Sequence, residues 1–483
     1  MKIVLVRPPF YALFGLTTPR MKTYPLNLLY LATFARDRGR CNAAVVDGEN
    51  IFVPDLQPAD PEENDPETII HRAIPGMVRV LGQPDHPLWV ELERRILLES
   101  PDLVGITCNS GNMDAVRLIV GRLKRFDLPV ILGGSHPTAL PEQSITYTGA
   151  DMVAVGEGEL TLIQAAERLR DHESLSDILS IAWKSNGRVM VNPLRGMIDP
   201  IEDLPIPDRS FINRSDYFGE VIMTGRGCPF DCSYCASKTI WGRRVRLRSV
   251  SSIIDELKML YEAASSSEQS ANGTAFVHER PGRWVVKVLD DTFTLHKKRT
   301  IELLDAIVAH GLNRFEFTGG VRADTLDEAV VERMRRANFR RVTLGVESGS
   351  PRILKMIRKG ETNEDVKRAL TLLRDAGIYS HAFFMIGFPD ETPDDIELSK
   401  KLILEARPDH VEINMVTPYP GTEIFNKLIA EDPSKIDRWY RWFHQGMSTH
   451  SDRIGYDLDR AYEDFLAFAK EYHRGGDRQL SES

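Results

Sequence analysis

The stretch 226-RGCPFDCSYCASK-238 places three of the chain's five cysteines, Cys228, Cys232 and Cys235, inside eight residues. Their spacing, Cys-x3-Cys-x2-Cys, offers three thiolates and no fourth. Structural zinc usually takes four protein ligands. Here no second cysteine pair exists, and His278 and His296 stand far outside the pattern. An iron–sulfur cluster is normally held by four cysteines. Three around a four-iron cluster leave one iron open, and an open iron can bind a substrate or cofactor. Structural zinc with one distant ligand is the plainer alternative. A disulfide is the third, and it fits poorly with five cysteines in 483 residues, too few for a disulfide scaffold.

The cysteines follow a strand-like run at 221–225 that opens a β/α series. Further strands are expected at 284–289, 314–318, 341–346, 380–386 and 410–416. Helices fit between them at about 249–263, 297–310, 326–337, 363–376 and 393–406. Six strand–helix steps predict an α/β fold, a partial β/α barrel over 221–425. Residues 426–483 read as a short helical C-terminal region. Its aromatic run Trp439, Tyr440, Trp442 and Phe443 either packs the last helix on the barrel or walls a cavity, and the charged tail 471–483 reads as disordered.

Upstream of the cysteines, 196–220 is rich in Pro and Asp and reads as a linker. Residues 1–195 alternate strands at 2–6, 41–49, 101–110, 128–134 and 150–159 with helices at 25–39 and 113–126. That rhythm predicts an N-terminal doubly wound parallel sheet. A Pro-rich acidic stretch at 53–67 reads as an exposed loop, and the polar stretch 264–282 as a flexible insertion.

The balance of 61 basic and 70 acidic residues gives a net charge of −9, which argues against a general nucleic-acid binder. No apolar run approaches the ~18–20 residues that cross a bilayer, so no membrane partner is expected. MKIVLVRPPF lacks the longer apolar segment and cleavage site of a signal peptide. The expectation is a cytoplasmic protein in a reducing compartment.

With these elements in place, the cysteine loop resembles that of the radical S-adenosylmethionine enzymes, whose signature is Cys-x3-Cys-x-aromatic-Cys; here the aromatic is Tyr234. Later segments fall in the same order. VLDDTF (288–293), with Asp290 and Asp291, resembles the segment whose acidic and backbone groups face the cosubstrate's amino group. GGVRAD (319–324) carries Arg322, which the resemblance assigns to the cosubstrate's carboxylate. LGVESGS (344–350) carries Glu347, the family's ribose-binding acid, and IGFPDET (386–392) resembles the segment near the adenine. Taken singly, Asp290 and Asp291 read as a helix cap, Glu347 as a surface acid and Arg322 as part of a structural ion pair. The resemblance implies a four-iron four-sulfur cluster and S-adenosylmethionine. It also implies an electron donor such as flavodoxin or ferredoxin.

The N-terminal half resembles the cobalamin-binding domain of one subfamily, with VRPPF, PLNLLYLA, GGSHPT and VGEGE in corresponding places. That likeness implies a cobalamin site at the strand ends. Its residues would be Asn109 and Ser110, then Gly134 and Ser135, then Gly156, Glu157 and Gly158. The Asp-x-His-x-x-Gly motif of other cobalamin proteins is absent, so it supplies no lower histidine. Cys108 reads as a buried small hydrophobe, and His136 either touches cobalamin or is a satisfied structural histidine.

The implied activity begins with cleavage of S-adenosylmethionine to a 5′-deoxyadenosyl radical, which abstracts hydrogen from a small-molecule substrate. Cobalamin-dependent methyl transfer to carbon, in a natural-product pathway such as antibiotic biosynthesis, would follow. One alternative keeps the radical and replaces methyl transfer by dehydration, rearrangement, cyclisation or oxidation. Another is a non-catalytic iron–sulfur or cobalamin carrier. No catalytic side chain is named by the sequence.

Overall fold

A computed structural model of the chain describes residues 1–10, 23–51, 66–268, 284–436, 439 and 454–481. Most of the acidic stretch, most of the polar insertion, and Tyr440, Trp442 and Phe443 lie outside the described residues. Contacts divide the chain into two units. One comprises Met1–Phe218, Thr239–Trp241 and the described part of Tyr419–Phe443. The other comprises Gly219–Lys238, Gly242–Pro418 and the described part of His444–Ser483.

In the first unit, apolar β-branched runs form β1 (Lys2–Arg7), β2 (Asn42–Asp47), β3 (Leu103–Thr107), β4 (Val130–Gly133) and β5 (Met152–Ala154). They are joined by α1 (Leu26–Asp37), α2 (Pro66–Leu81), α3 (Pro87–Leu98), α4 (Met113–Leu123), α5 (Ser135–Ala139) and α6 (Pro141–Thr148), and α7 (Glu159–Arg170) follows β5. The order β2-β1-β3-β4-β5, parallel throughout, is that of a doubly wound sheet. Such a sheet binds ligands beyond its carboxyl edge, where the strand order reverses.

The sheet is larger than the sequence pattern suggests, because β6 (Ile181–Ser185) and β7 (Arg188–Val191) extend it as an antiparallel hairpin. Its two-residue turn is Asn186-Gly187, with φ of 48° and 77°. Both values are positive, the requirement of a tight hairpin turn whose twist matches the strands. The core beneath the sheet includes Ile3, Leu5, Leu28, Leu103, Ile131 and Leu162. Part of the segment between the two sheets is strapped to this unit: the Tyr217 hydroxyl donates to Asp47 at 2.6 Å, and Asp208 N–H donates to Thr33 at 2.9 Å.

The second unit begins with β8 (Glu220–Ile222) and a two-stranded ladder of β9 (Gly225–Arg226) with β10 (Arg246–Leu247). The parallel series continues as β11 (Trp284–Val288), β12 (Phe315–Val321), β13 (Phe339–Glu347), β14 (Tyr379–Ile386) and β15 (His410–Met415). The helices are α8 (Ser237–Trp241), α9 (Val250–Glu268), α10 (Lys297–Ala309), α11 (Glu328–Arg336), α12 (Pro351–Met356), α13 (Asn363–Asp375), α14 (Pro393–Ala406), α15 (Glu423–Glu431) and α16 (Leu458–Ser481). Of these, α15 and the Thr239–Trp241 part of α8 group with the first unit. The six parallel strands run β15-β14-β13-β12-β11-β8, the partial barrel expected from six β/α steps.

One strand face packs Val286, Phe317, Leu344, Phe384 and Ile413 into the unit's core. The C-terminal tail corrects an expectation, because α16 runs to Ser481. Leu458, Tyr462, Phe465 and Ala469 recur at helical spacing and are buried, and Tyr472 and His473 bond Pro408 and Val411. Among the described residues no helix is long and apolar enough to cross a membrane.

Candidate functional site

In the second unit the cysteine loop leaves β9 and passes into α8. Cys228, Cys232 and Cys235 carry no disulfide. Burial pushes the Cys232 thiol up and that of Cys235 up to about 11. Among the described residues no three His, Cys, Asp or Glu side chains converge on one point. A cluster makes a different demand, since each cysteine reaches a separate iron. Three soft thiol donors with no fourth protein ligand beside them suit that geometry.

Two acids after β11 hold this loop. Gly227 N–H donates to Asp291 at 3.0 Å and the Ser237 hydroxyl donates to its other carboxylate oxygen at 2.6 Å. Asp291 therefore clasps the loop on both sides of the cysteines. Asp290 accepts from Thr224 N–H at 2.6 Å, from Gly225 N–H at 3.3 Å and from the Thr224 hydroxyl. Both of its oxygens thus face the β8–β9 turn, and Arg299 braces the same threonine at 2.9 Å. The sequence expectation had turned both acids toward an amino group; the structure turns them to the protein's own loop.

Glu347 ends β13 at a register shift against β14, and its φ is 69°. A non-glycine residue in that region is strained, and such strain gathers at functional sites. The side chain accepts from the Tyr234 hydroxyl at 2.8 Å and from Lys359 at 3.0 Å. Gly345 makes this possible, because a Cβ there would meet the Glu347 carboxylate at 2.4 Å. Lys359 also reaches Glu361 at 3.2 Å, and Glu361 lies 3.6 Å from Arg322. Burial pulls the Lys359 ammonium down, but Glu347 and Glu361 outweigh it and the net shift is upward. Arg322 is fixed by Asp324 at 3.0 Å and the Lys359 carbonyl at 2.9 Å, with its guanidinium 3.7 Å above the Phe230 ring of the cysteine loop.

These bonds bring Tyr234, Glu347 and Arg322 into one buried network. Lys359 and Glu361 belong to it and escaped the sequence reading. The only signal was the short charged run 358-RKGET-362. In the 386–392 segment, Glu391 accepts from Gly387 N–H at 2.6 Å and Tyr456 at 2.9 Å. Burial pushes its carboxyl up to about 7.

In the first unit the expected turns lie at the carboxyl edge of β3, β4 and β5. Gly134 has a φ of 113°, and a Cβ there would meet the Cys108 carbonyl at 2.3 Å, so only glycine lets the two turns touch. At Gly133 and Gly156 an added Cβ would meet nothing within 4 Å, which leaves an open ledge of bare backbone. Ser135 opens α5 beside them. The polar side chains are engaged elsewhere. Asn109 and Asn112 cap each other's N–H groups at 2.9 and 3.1 Å, and Ser110 lies 2.9 Å from His136. Glu157 accepts from Ile198 N–H at 2.8 Å, and a Cβ added at Gly158 would meet Leu31 at 3.4 Å.

His136 is 1% exposed, bonds Gln143 at 3.2 Å, and is pulled down to about 4 by burial, so it stays neutral. It is a satisfied histidine. Trp439 stands edge-on to it at 4.3 Å, so this aromatic packs within the first unit. Cys108 is buried against Met113, as expected of a small hydrophobe.

The radical SAM superfamily model matches residues 222–403, and the B12 binding domain model matches 13–166. An uncharacterized methyltransferase of Pyrococcus horikoshii is 31% identical over 92% of this chain and 86% of its own length. The chain belongs to the cobalamin-dependent radical SAM enzymes. Within the family, the cytidylyl-2-hydroxyethylphosphonate methyltransferase of Streptomyces wedmorensis is 24% identical over 89% of this chain and 82% of its own. The radical S-adenosylmethionine methyltransferase TsrM of Kitasatospora setae, solved with cobalamin and a [4Fe-4S] cluster, shares the fold. Its TM-score is 0.65 at 20% identity, over 89% of this chain and 78% of that one. For this radical SAM chain, the bare ledge at Gly133 and Gly156 is what a flat macrocycle needs against strand ends, and the residues present fit cobalamin.

Proposed function

We propose that this chain methylates a carbon of a small-molecule substrate by cobalamin-dependent radical chemistry. The observation that carries the reading is the clasped three-thiol loop in the same barrel unit as a strained, buried acid, Glu347. When bound, the cluster supplies the electron that splits S-adenosylmethionine into methionine and a 5′-deoxyadenosyl radical, and cobalamin supplies the methyl group. Cys228, Cys232 and Cys235 hold the cluster, and Asp291 sets the loop that presents them. Glu347, oriented by Tyr234 and Lys359, accepts the ribose hydroxyls of the cosubstrate. Arg322 supports the carboxylate side from its seat on Phe230. The ledge at Gly133, Gly134 and Gly156, with Asn109 and Ser110 shaping its neighbour turn, receives the corrin. Relatives that act on small organic molecules, the cytidylyl-2-hydroxyethylphosphonate methyltransferase and TsrM, which has also been solved with tryptophan as substrate, support a small-molecule substrate.

The test is anaerobic. The protein, reconstituted with iron, sulfide and hydroxocobalamin, is given methyl-labelled S-adenosylmethionine, reductant and a panel of small-molecule acceptors. Corrin bands that survive desalting, 5′-deoxyadenosine formation and label in an acceptor are expected. Replacing all three cysteines with alanine should abolish cleavage. Acceptor consumed alongside 5′-deoxyadenosine, yet carrying no label, would replace methyl transfer by dehydration, rearrangement or oxidation.

A further inference from the structure

The inner face of the six-stranded sheet carries charges that the Glu347 network does not use. In β11, Val286 and Val288 are buried in the helix-covered core, so Lys287 between them points to the other face. The same alternation sends Thr318 of β12 and Arg341 of β13 there, since their neighbours Phe317 and Val342 belong to that core. The register sets the three in one row: Lys287 lies beside Thr318, and Thr318 lies beside Arg341. With adjacent strands about 4.8 Å apart, a short hydroxyl stands between two long cations whose backbones are about 10 Å apart.

The row is reachable. Lys287 and Arg341 are exposed, Thr318 is half-buried, and Leu289, next on the same face, is 41% exposed. Among the described residues no carboxylate pairs with either cation, and neither the Lys287 ammonium nor the Thr318 hydroxyl has a hydrogen-bond partner. Although Lys287 meets solvent, the wall around it pulls its ammonium down, and Arg341 pulls it further. Arg341 donates one N–H to Nδ1 of His381 and lies 5.5 Å from the centre of the Tyr379 ring. A guanidinium has five N–H groups, so most remain.

The acids of this face are engaged elsewhere. Glu412 lies 3.1 Å from the other ring nitrogen of His381, Glu347 holds Tyr234 and Lys359, and Glu316, two residues before Thr318, has a partner of its own. Like charges facing each other across a sheet are destabilising. An oxyanion between them reverses that sign, because it accepts from ammonium, hydroxyl and guanidinium together.

We propose that Lys287, Thr318 and Arg341 form an oxyanion subsite that holds a carboxylate or phosphate group of the methyl acceptor. The assignment to the acceptor rests on the methyl-transfer reading above, whereas the oxyanion site itself does not. Lys287 precedes Asp290 by three residues and Arg341 precedes Glu347 by six. The row therefore lies about 10–20 Å along the strands from their carboxyl ends. The acceptor is elongated, with its anionic end about that far from the carbon that is methylated.

The first measurement is calorimetric titration of the full reconstituted chain with inorganic phosphate, at an ionic strength held constant with chloride. The wild type should bind, and Lys287→Met should bind at least about tenfold more weakly, the loss of one charge-assisted hydrogen bond. Lys287→Arg should retain binding. Without phosphate, Lys287→Met should be no less stable to heat than the wild type, because it removes a repelled charge; a lysine with a purely structural role gives the opposite sign. The second measurement compares carboxylic acids with their carboxamides as acceptors of labelled methyl. The wild type should prefer the acid at least about tenfold in kcat/KM, and Lys287→Met should erase that preference. No phosphate binding, or equal binding by wild type and Lys287→Met, overturns the site. An acid preference that is absent in the wild type, or survives Lys287→Met, assigns the site to a free anion and overturns its role in holding the acceptor. A chain that binds phosphate through Lys287 yet methylates no acceptor fails the methyl-transfer reading, and the acceptor assignment with it, while the oxyanion site stands.

Discussion

Lys359 shows how a buried charge survives only as part of a set. Lys359 is 5% exposed, and its ammonium has Glu347 and Glu361 as partners at 3.0 and 3.2 Å. Removing one partner of such a group strands the others without water, at a cost of about 3–5 kcal/mol. Lys359→Met should therefore lower stability by about that amount in chemical denaturation, with a higher KM for S-adenosylmethionine as Glu347 loses its orientation. Adding Glu361→Gln should recover part of the loss, because it removes one stranded charge. A double variant as unstable as the sum of the singles would show that the two residues do not act together. The cysteines were legible because ligand spacing is local. Glu347 was legible through the order of segments behind them. Lys359 was not, since a lysine after a short helix looks like any cation at a helix end. Its first partner lies 12 residues upstream, on a strand, at a backbone angle no pattern announces.

Among elements, the turn after β11 carries the main revision. The paired acids were visible in the sequence, but their direction depends on how β8, β9 and β11 lie side by side. Asp291 is exposed and makes its two bonds at 3.0 and 2.6 Å to residues on either side of the cysteines. Asp291→Ala should leave far-UV circular dichroism unchanged while lowering iron bound per chain after reconstitution by about half or more, since each lost clasp frees the loop at a net ~1–3 kcal/mol. Asp291→Asn, which can still accept one bond, should fall between. Unchanged iron content in the alanine variant would mean the cysteines are held without this clasp. The hairpin β6–β7 escaped for a different reason. Its Asn186-Gly187 turn is a strong hairpin signal, but strands without an intervening helix break the β/α rhythm that organised the rest of the unit. The end of the last helix, from 471 on, escaped because its charged, glycine-containing sequence masks an apolar period that continues through Tyr472.

At the scale of the whole molecule, each of the two units has its own apolar core, around Ile3, Leu103 and Ile131 in one and Phe317, Leu344 and Phe384 in the other. The alternation of elements made both sheets legible. Membership of Tyr419–Phe443 in the first unit was not, because it is settled by contacts across hundreds of residues. Separate cores imply that a lesion confined to one cofactor site should spare the other. Gly133 offers a clean probe: an added Cβ meets nothing within 4 Å, and its backbone lies outside the left-handed region, so a larger side chain fills the ledge without straining the sheet. Gly133→Leu should fold normally and lose its corrin bands on desalting, while iron content and viologen-driven S-adenosylmethionine cleavage stay within about twofold of wild type, since the substitution leaves the other unit's core and cysteine loop untouched. The triple cysteine-to-alanine variant should do the reverse, keeping the corrin and losing iron and cleavage. Corrin retained by Gly133→Leu would move the cobalamin site away from the carboxyl edge of β4, whereas loss of iron in the same variant would mean that the two units do not hold their cofactors separately.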